Sequence, residues 1–77
     1  MRVGTESVQK RLAYWLCEQR SLSVSVTHHE LAAQLATTRE SVSKALSRLR
    51  NAGLITSKRG EIVVMDQVGL ARYLENF

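Results

Sequence analysis

Two helix-start signals ten residues apart constrain this chain more than any other feature. Thr27 is followed three positions later by Glu30, and Thr37 is followed three positions later by Glu40. A threonine with a glutamate three residues on is a capping box. The hydroxyl accepts a hydrogen bond from the backbone at the glutamate, and the carboxylate reaches back to the cap's own N–H. A second such signal so soon after the first means that one helix stops and another starts almost at once. The first helix, "HHELAAQLA", buries Leu31 and Leu35. The second runs from about Thr38 to Asn51 or Ala52, and Gly53 is placed to end it. Two short helices joined by a tight turn form a helix-turn-helix, here over about residues 27–52.

The flanking segments complete a compact plan. "TESVQKRLAYWLCEQR" reads as a helix with Thr5 or Ser7 near its cap. Val8, Leu12, Trp15 and Leu16 fall at i, i+4, i+7 and i+8, on one helical face. Trp15 and Tyr14 read as core and core-edge residues rather than base-stacking platforms. "LSVSV", residues 22–26, is a short strand at most. Past Gly53, "LITS" and "EIVVM" flank "KRG", which predicts a β-hairpin over about 54–65. Asp66 caps a last helix whose Val68, Leu70, Tyr73 and Leu74 pack back on the core. Gly69 weakens that helix by about 1 kcal/mol relative to alanine. The chain is predicted as mainly α with a small β-hairpin wing: one winged helix-turn-helix domain across residues 1–77, with a helical appendix.

Bulk properties narrow the function. Seventy-seven residues form one domain with a thin core. The 44% apolar and 23% charged contents are those of a folded domain. Eleven basic against seven acidic residues give a net charge of +4, which favours a polyanionic partner without requiring one. The one cysteine, Cys17, permits no internal disulfide and makes no metal site, and it reads as a buried structural thiol. No apolar run can span a membrane, and "MRVGTESVQK" lacks a signal-peptide core. A reducing cytoplasm fits. No nucleophile–base–orienter set, glycine-rich phosphate loop or metal-ligand spacing points to an enzyme, and no cofactor is expected.

The second helix of the pair carries the candidate chemistry. Val42, Ala45, Leu46 and Leu49 form its inner side, while Glu40, Lys44, Ser47 and Asn51 form the outer stripe. Ser43 flanks that stripe on one side, and Ser41 and Arg48 flank it on the other. Arg39 starts the helix. The DNA major groove admits one helix, where Arg donates two hydrogen bonds to guanine and Glu accepts from cytosine. Small hydroxyls allow close approach and bond phosphates. The same outward face would also suit an ordinary solvated helix, and Glu40 could serve as cap or as reader. A tight helix pair, a hydroxyl-rich junction, a basic first half and a hairpin tipped by Lys58 and Arg59 together favour DNA. His28 and His29 are neighbours on a helix and point about 100° apart, so they do not readily share a metal ion. They read as phosphate contacts at a helix start, or as an exposed idle pair.

"THHELAAQLATTRESVSKALSRLRNAGLI" followed by "KRGEIVVMD" resembles the DNA-binding domain of the cyclic-AMP receptor protein / fumarate–nitrate regulator (Crp/Fnr) family of bacterial transcription factors. "TTRESVSKAL" resembles that family's recognition helix. The resemblance implies that Arg39 reads a guanine and Glu40 the neighbouring cytosine of the opposite strand. It implies that Lys44 touches a base or phosphate, and that Thr38 and Ser41 bond phosphates. Thr27, His28 and His29 would do likewise, and Lys58 and Arg59 would form the wing contact. The implied half-site holds a G·C pair within a TGTGA-like sequence. Lys44 stands where the family often has arginine and lacks its bidentate fork. Ala36 stands where the family usually has glycine in the turn, which is tolerable if the turn stays near helical geometry. Family members are longer, with an effector-sensing β-roll and a helix that pairs two subunits, and they engage RNA polymerase. This chain therefore reads as an excised output domain or as an unusually small stand-alone relative, with the sensing domain absent. The rival readings are a winged helix that binds protein and a non-specific nucleic-acid binder.

Overall fold

The computed structural model describes residues 7–75. In chain order the elements are α1 (Val8–Glu18), β1 (Ser23–Val24), α2 (His28–Gln34), α3 (Arg39–Asn51), β2 (Ile55–Lys58), β3 (Glu61–Val64) and α4 (Gln67–Glu75). They form the expected winged helix-turn-helix, with a sheet larger than a hairpin. The three strands run in the order β1-β3-β2, all antiparallel, with Ser23 opposite Val63 and Lys58 opposite Glu61.

The core is wholly apolar. Leu12, Ala13 and Leu16 of α1, Leu31 of α2, Val42, Ala45, Leu46 and Leu49 of α3, Ile55 and Ile62 of the sheet, and Leu70 of α4 are all buried. Apolar residues at helical spacing on α1 and α3 therefore meet one another, as non-directional burial of apolar surface favours.

Local chemistry accounts for the element boundaries. Ser7 caps α1 by accepting from the Lys10 N–H at 3.1 Å. Thr5, the other expected cap, lies outside the described residues. At α2 the capping box is complete: Thr27 Oγ1 accepts from the Glu30 N–H at 3.0 Å, and Glu30 Oε1 accepts from the Thr27 N–H at 2.8 Å. These hydrogen bonds hold the Glu30 carboxyl below its usual range, with the Thr27 bonds the main cause and the charge of His29 a smaller one. At α3 the expected cap is off by one residue. Thr38, not Thr37, accepts from the Ser41 N–H at 3.1 Å, which makes Ser41 the third helical residue and Glu40 only the second.

Both helices of the pair end in the same device, the Schellman motif. The Thr37 N–H donates to the Ala32 carbonyl at 2.9 Å and the Ala36 N–H to Ala33 at 3.3 Å. At α3 the Leu54 N–H donates to Leu49 at 3.1 Å and the Gly53 N–H to Arg50 at 2.9 Å. The motif needs a left-handed residue at its pivot, which is Gly53 at φ +79° in one case and Ala36 at φ +53° in the other. Ala36 thus leaves helical geometry, so the condition under which an alanine would be easily tolerated there is not met. The residue before it is held from outside: Arg11 Nη1 of α1 donates to the Leu35 carbonyl at 2.8 Å.

Other expectations are corrected as well. The strand expected over 22–26 shrinks to Ser23–Val24, because pairing with β3 covers only those two positions. Leu22 is half exposed. Val68 is exposed, not packed, whereas Leu70 is buried and Tyr73 and Leu74 pack partly on the core. Tyr14 is also exposed, and Trp15 is half-buried against the core. Cys17 is half-buried rather than buried, with its thiol pushed up by desolvation. Gly69 is not merely a weak helix former. Its N–H donates to Asp66 Oδ1 at 2.8 Å, and a Cβ there would collide with the Asp66 carboxylate and stand 2.9 Å from Leu54 Cδ2. The glycine makes room for the helix cap.

Candidate nucleic-acid interface

Capping uses the acceptor side of the hydroxyls at both helix starts. Thr27 Oγ1 receives the Glu30 N–H, and Thr38 Oγ1 receives the Ser41 N–H while donating to Ser41 Oγ at 3.0 Å. The hydroxyl proton of Ser41 is left to donate outward. Thr38, Arg39, Glu40 and Lys44 are all exposed or half-exposed. Among the described residues, the side chains of Arg39, Glu40, Lys44, Lys58 and Arg59 have no hydrogen-bond or ion-pair partner. The one-residue shift of the α3 cap is what frees Glu40. The second helical position is out of reach of the cap's N–H, so the carboxylate stays available as an acceptor.

The sequence-predicted residues divide between two depressions on either side of α3. A cleft of about 560 Å³ separates α3 from the wing. It is lined by Thr27, His28 and His29 at the start of α2, by Arg39 and Ser43 of α3, and by Lys58 and Arg59 of the wing. Ser41 and Lys44 face the other way, into a smaller depression of about 220 Å³ shared with Val8, Gln9 and Arg48. Thr38 and Glu40 line neither, and Glu40 stands on the ridge between them.

The cleft is cationic and tied together. No carboxylate lines it. His28 Nδ1 and Ser43 Oγ are 2.8 Å apart, which joins α2 to α3 and engages a hydroxyl expected to face DNA. The Val26 N–H donates to the Gly60 carbonyl at 3.1 Å, so the wing turn is bonded to the segment that enters α2. Gly60 sits at φ +76°, which only glycine adopts freely. Among the described residues, no group of three or more His, Cys, Asp or Glu could hold a metal ion, and no helix is long and apolar enough to cross a membrane.

Besides Gly60 of the wing turn, two cleft side chains were missed by sequence reasoning, those of Arg50 and Ser57. Arg50 Nη1 donates to Ser57 Oγ at 3.3 Å and Nη2 to Ser47 Oγ at 3.2 Å. A signal for Arg50 was present. It lies eleven residues after Arg39, which at about 100° per residue returns to within about 20° of the same helix face. Ser57 had no such signal, because its proximity depends on how the wing folds against α3.

The family model described as the Crp-like helix-turn-helix domain matches residues 10–73. The chain belongs to that family. It is 38% identical over 55 residues to the transcriptional regulator LdrP of Thermus thermophilus, covering 71% of this chain and 28% of that protein. Among solved structures it is similar to a transcriptional regulator of the CRP/FNR family from Thermus thermophilus, with TM-score 0.77 and 32% identity, covering 92% of this chain and 42% of that one. It is likewise similar to the Thermus thermophilus catabolite activator protein, with TM-score 0.78 and 29% identity, covering 88% and 34% respectively. The chain thus spans between 28% and 42% of the length of these relatives. The proteins that share this Crp-like helix-turn-helix domain with it are transcriptional regulators.

Proposed function

We propose that the domain reads double-stranded DNA in a sequence-specific way, with α3 in the major groove. The observation that carries this reading is the pair of side chains at the start of α3, Arg39 and Glu40, unpartnered among the described residues, beside a cleft lined by cations and by no carboxylate. Arg39 donates to guanine O6 and N7, and Glu40 accepts from a cytosine N4–H. Lys44 reaches a base or phosphate from the far side of the ridge. Thr38 and Ser41 bond one strand, and Thr27, His28 and His29 bond phosphates at the start of α2. Ser43 acts through His28, since the two are already bonded. Lys58 and Arg59 hold the backbone next to the wing.

Binding by one copy is weak and strongly salt-dependent, because phosphate contacts dominate. Two copies occupy a palindromic site when something pairs them. Pairing, contact with RNA polymerase, and work in the cytoplasm on a site of TGTGA type belong to this proposal.

The test is fluorescence anisotropy of a labelled duplex bearing a TGTGA-type half-site, against the same duplex with the G·C pair changed. Wild type prefers the intact site, and Arg39→Ala loses about 1–3 kcal/mol together with that preference. Equal binding of both duplexes, indifferent to Arg39, marks a non-specific binder. No binding at either of two salt concentrations moves a protein partner to the front.

A further inference from the structure

We propose that Arg50 is a phosphate-binding residue, and that the floor of the cleft between α3 and the wing holds one backbone phosphate jointly through Arg50, Lys58 and Arg59. The inference rests on the DNA-binding reading and adds a contact at the opposite end of α3 from Arg39.

Three observations lead to it. The first is placement. Arg50 is in the last turn of α3 and lines the same cleft as Arg39, Lys58 and Arg59. Arg39 and Arg50 are separated along one helix face by roughly 16 Å, at about 1.5 Å per residue. A helix lying in the major groove and a wing resting beside it are divided by one sugar–phosphate strand. The cleft between the two protein elements is where that strand passes.

The second is how the guanidinium is held. Its two hydrogen bonds, at 3.3 and 3.2 Å, go to the neutral hydroxyls of Ser57 and Ser47. These are longer than the usual N–H···O distance of about 2.9–3.0 Å. No carboxylate pairs with it among the described residues, so its charge is uncompensated. Guanidinium has five N–H donors in a rigid fork. Two serines orient it, and further donors remain for a planar bidentate acceptor such as a phosphodiester.

The third is rigidity. The wing is bonded to α3 through Arg50 and Ser57, and to the entry of α2 through the Gly60 carbonyl. The three cations therefore face the cleft from walls already fixed to each other, which lowers the ordering cost of binding.

The experiment titrates the full chain with the intact and the changed duplex, at several salt concentrations between about 0.05 and 0.2 M. Each neutralised phosphate contributes about 0.9 to the slope of log affinity against log salt. Arg50→Gln flattens that slope by about 0.9 and weakens both duplexes alike, by roughly five- to tenfold at 0.1 M salt. Arg50→Lys keeps the slope. Ser57→Ala keeps it as well, since the charge is untouched. Arg50 is exposed, and cooperative melting by circular dichroism checks folding; Arg50→Met replaces the glutamine variant if that one does not melt cooperatively. An unchanged slope in Arg50→Gln overturns the proposal. So does a Ser57→Ala variant that loses as much affinity as Arg50→Gln, since Arg50 would then be a strap alone. Failure of wild type to bind either duplex overturns the DNA reading itself and this contact with it. Wild-type preference for the intact site with an Arg50-independent slope overturns this contact only.

Discussion

The two helices of the pair share one plan and differ at one residue at each end. Both start on a threonine cap and both close in a Schellman motif. At the start of α2 the acid sits at the third helical position and closes the box on Thr27. At the start of α3 the acid sits at the second position, and Glu40 is unpartnered among the described residues. At the far ends, the left-handed pivot is glycine after α3 and alanine after α2. Where the structural demand is strict, the residue serves the fold. Where the acid is one position early, the fold forgoes a hydrogen bond and gains an exposed acceptor in the middle of the candidate reading face.

The comparison can be broken most sharply at the glutamates. Glu40→Ala is expected to cost about 1–3 kcal/mol of discrimination at one C·G pair, while the unfolding free energy moves by no more than about 0.5 kcal/mol. A large loss of stability there, measured by urea denaturation, would mean that Glu40 caps α3 after all. Next in size are the caps. Thr27→Ala and Thr38→Ala are each expected to cost about 1 kcal/mol, since each removes one hydroxyl acceptor while the backbone bond from the Thr27 N–H to Glu30 survives in the first.

The pivots come third. A Cβ at Gly53 meets nothing within 4 Å, so Gly53→Ala isolates the backbone cost of the left-handed conformation. About 1 kcal/mol of destabilisation is expected, after allowing for the lower chain entropy of alanine when unfolded. Ala36→Gly is the mirror experiment, with about 0.5–1 kcal/mol gained. Equal and opposite shifts show that the two turns are energetically alike. A loss at Ala36→Gly would mean that the entropy glycine adds to the unfolded chain outweighs the relief of strain.

The smallest effect is in pH. The Glu30 carboxyl is lowered in the folded state by its bonds to Thr27. Its contribution is therefore complete above the unfolded carboxyl value and disappears as pH falls through the folded one. Glu30→Gln also caps, without titrating. The stability of wild type relative to Glu30→Gln should thus decline on acidification through that window, followed by urea denaturation at a series of pH values. A difference that stays flat with pH would remove the charged cap from the account.

Much of this was legible in the residues because it is local. The Thr27–Glu30 box, the stop at Gly53, the cap at Asp66 and the apolar stripe of α3 depend on neighbours within a few positions, and each has a fixed period or spacing. The miss at the start of α3, Thr37 for Thr38, arose because both threonines offer the same hydroxyl. Only the Schellman bond from the Thr37 N–H to Ala32 assigns Thr37 to the end of α2. The exposure of Val68 and the small extent of β1 were not legible, because each depends on which partner surface arrives.

By itself the sequence determined the helix pair, the wing, and the residues able to bond bases and phosphates, since capping, turn chemistry and helical periodicity act over short distances. Tertiary structure alone decided that α2, α3 and the wing enclose one carboxylate-free cleft, that Ser43 is engaged by His28, and that Ser57 holds Arg50 beside Lys58 and Arg59. Those pairs are seven or more residues apart in the chain. Their contact follows from burial of Leu46, Leu49, Ile55 and Ile62 in one core, and no local rule contains it.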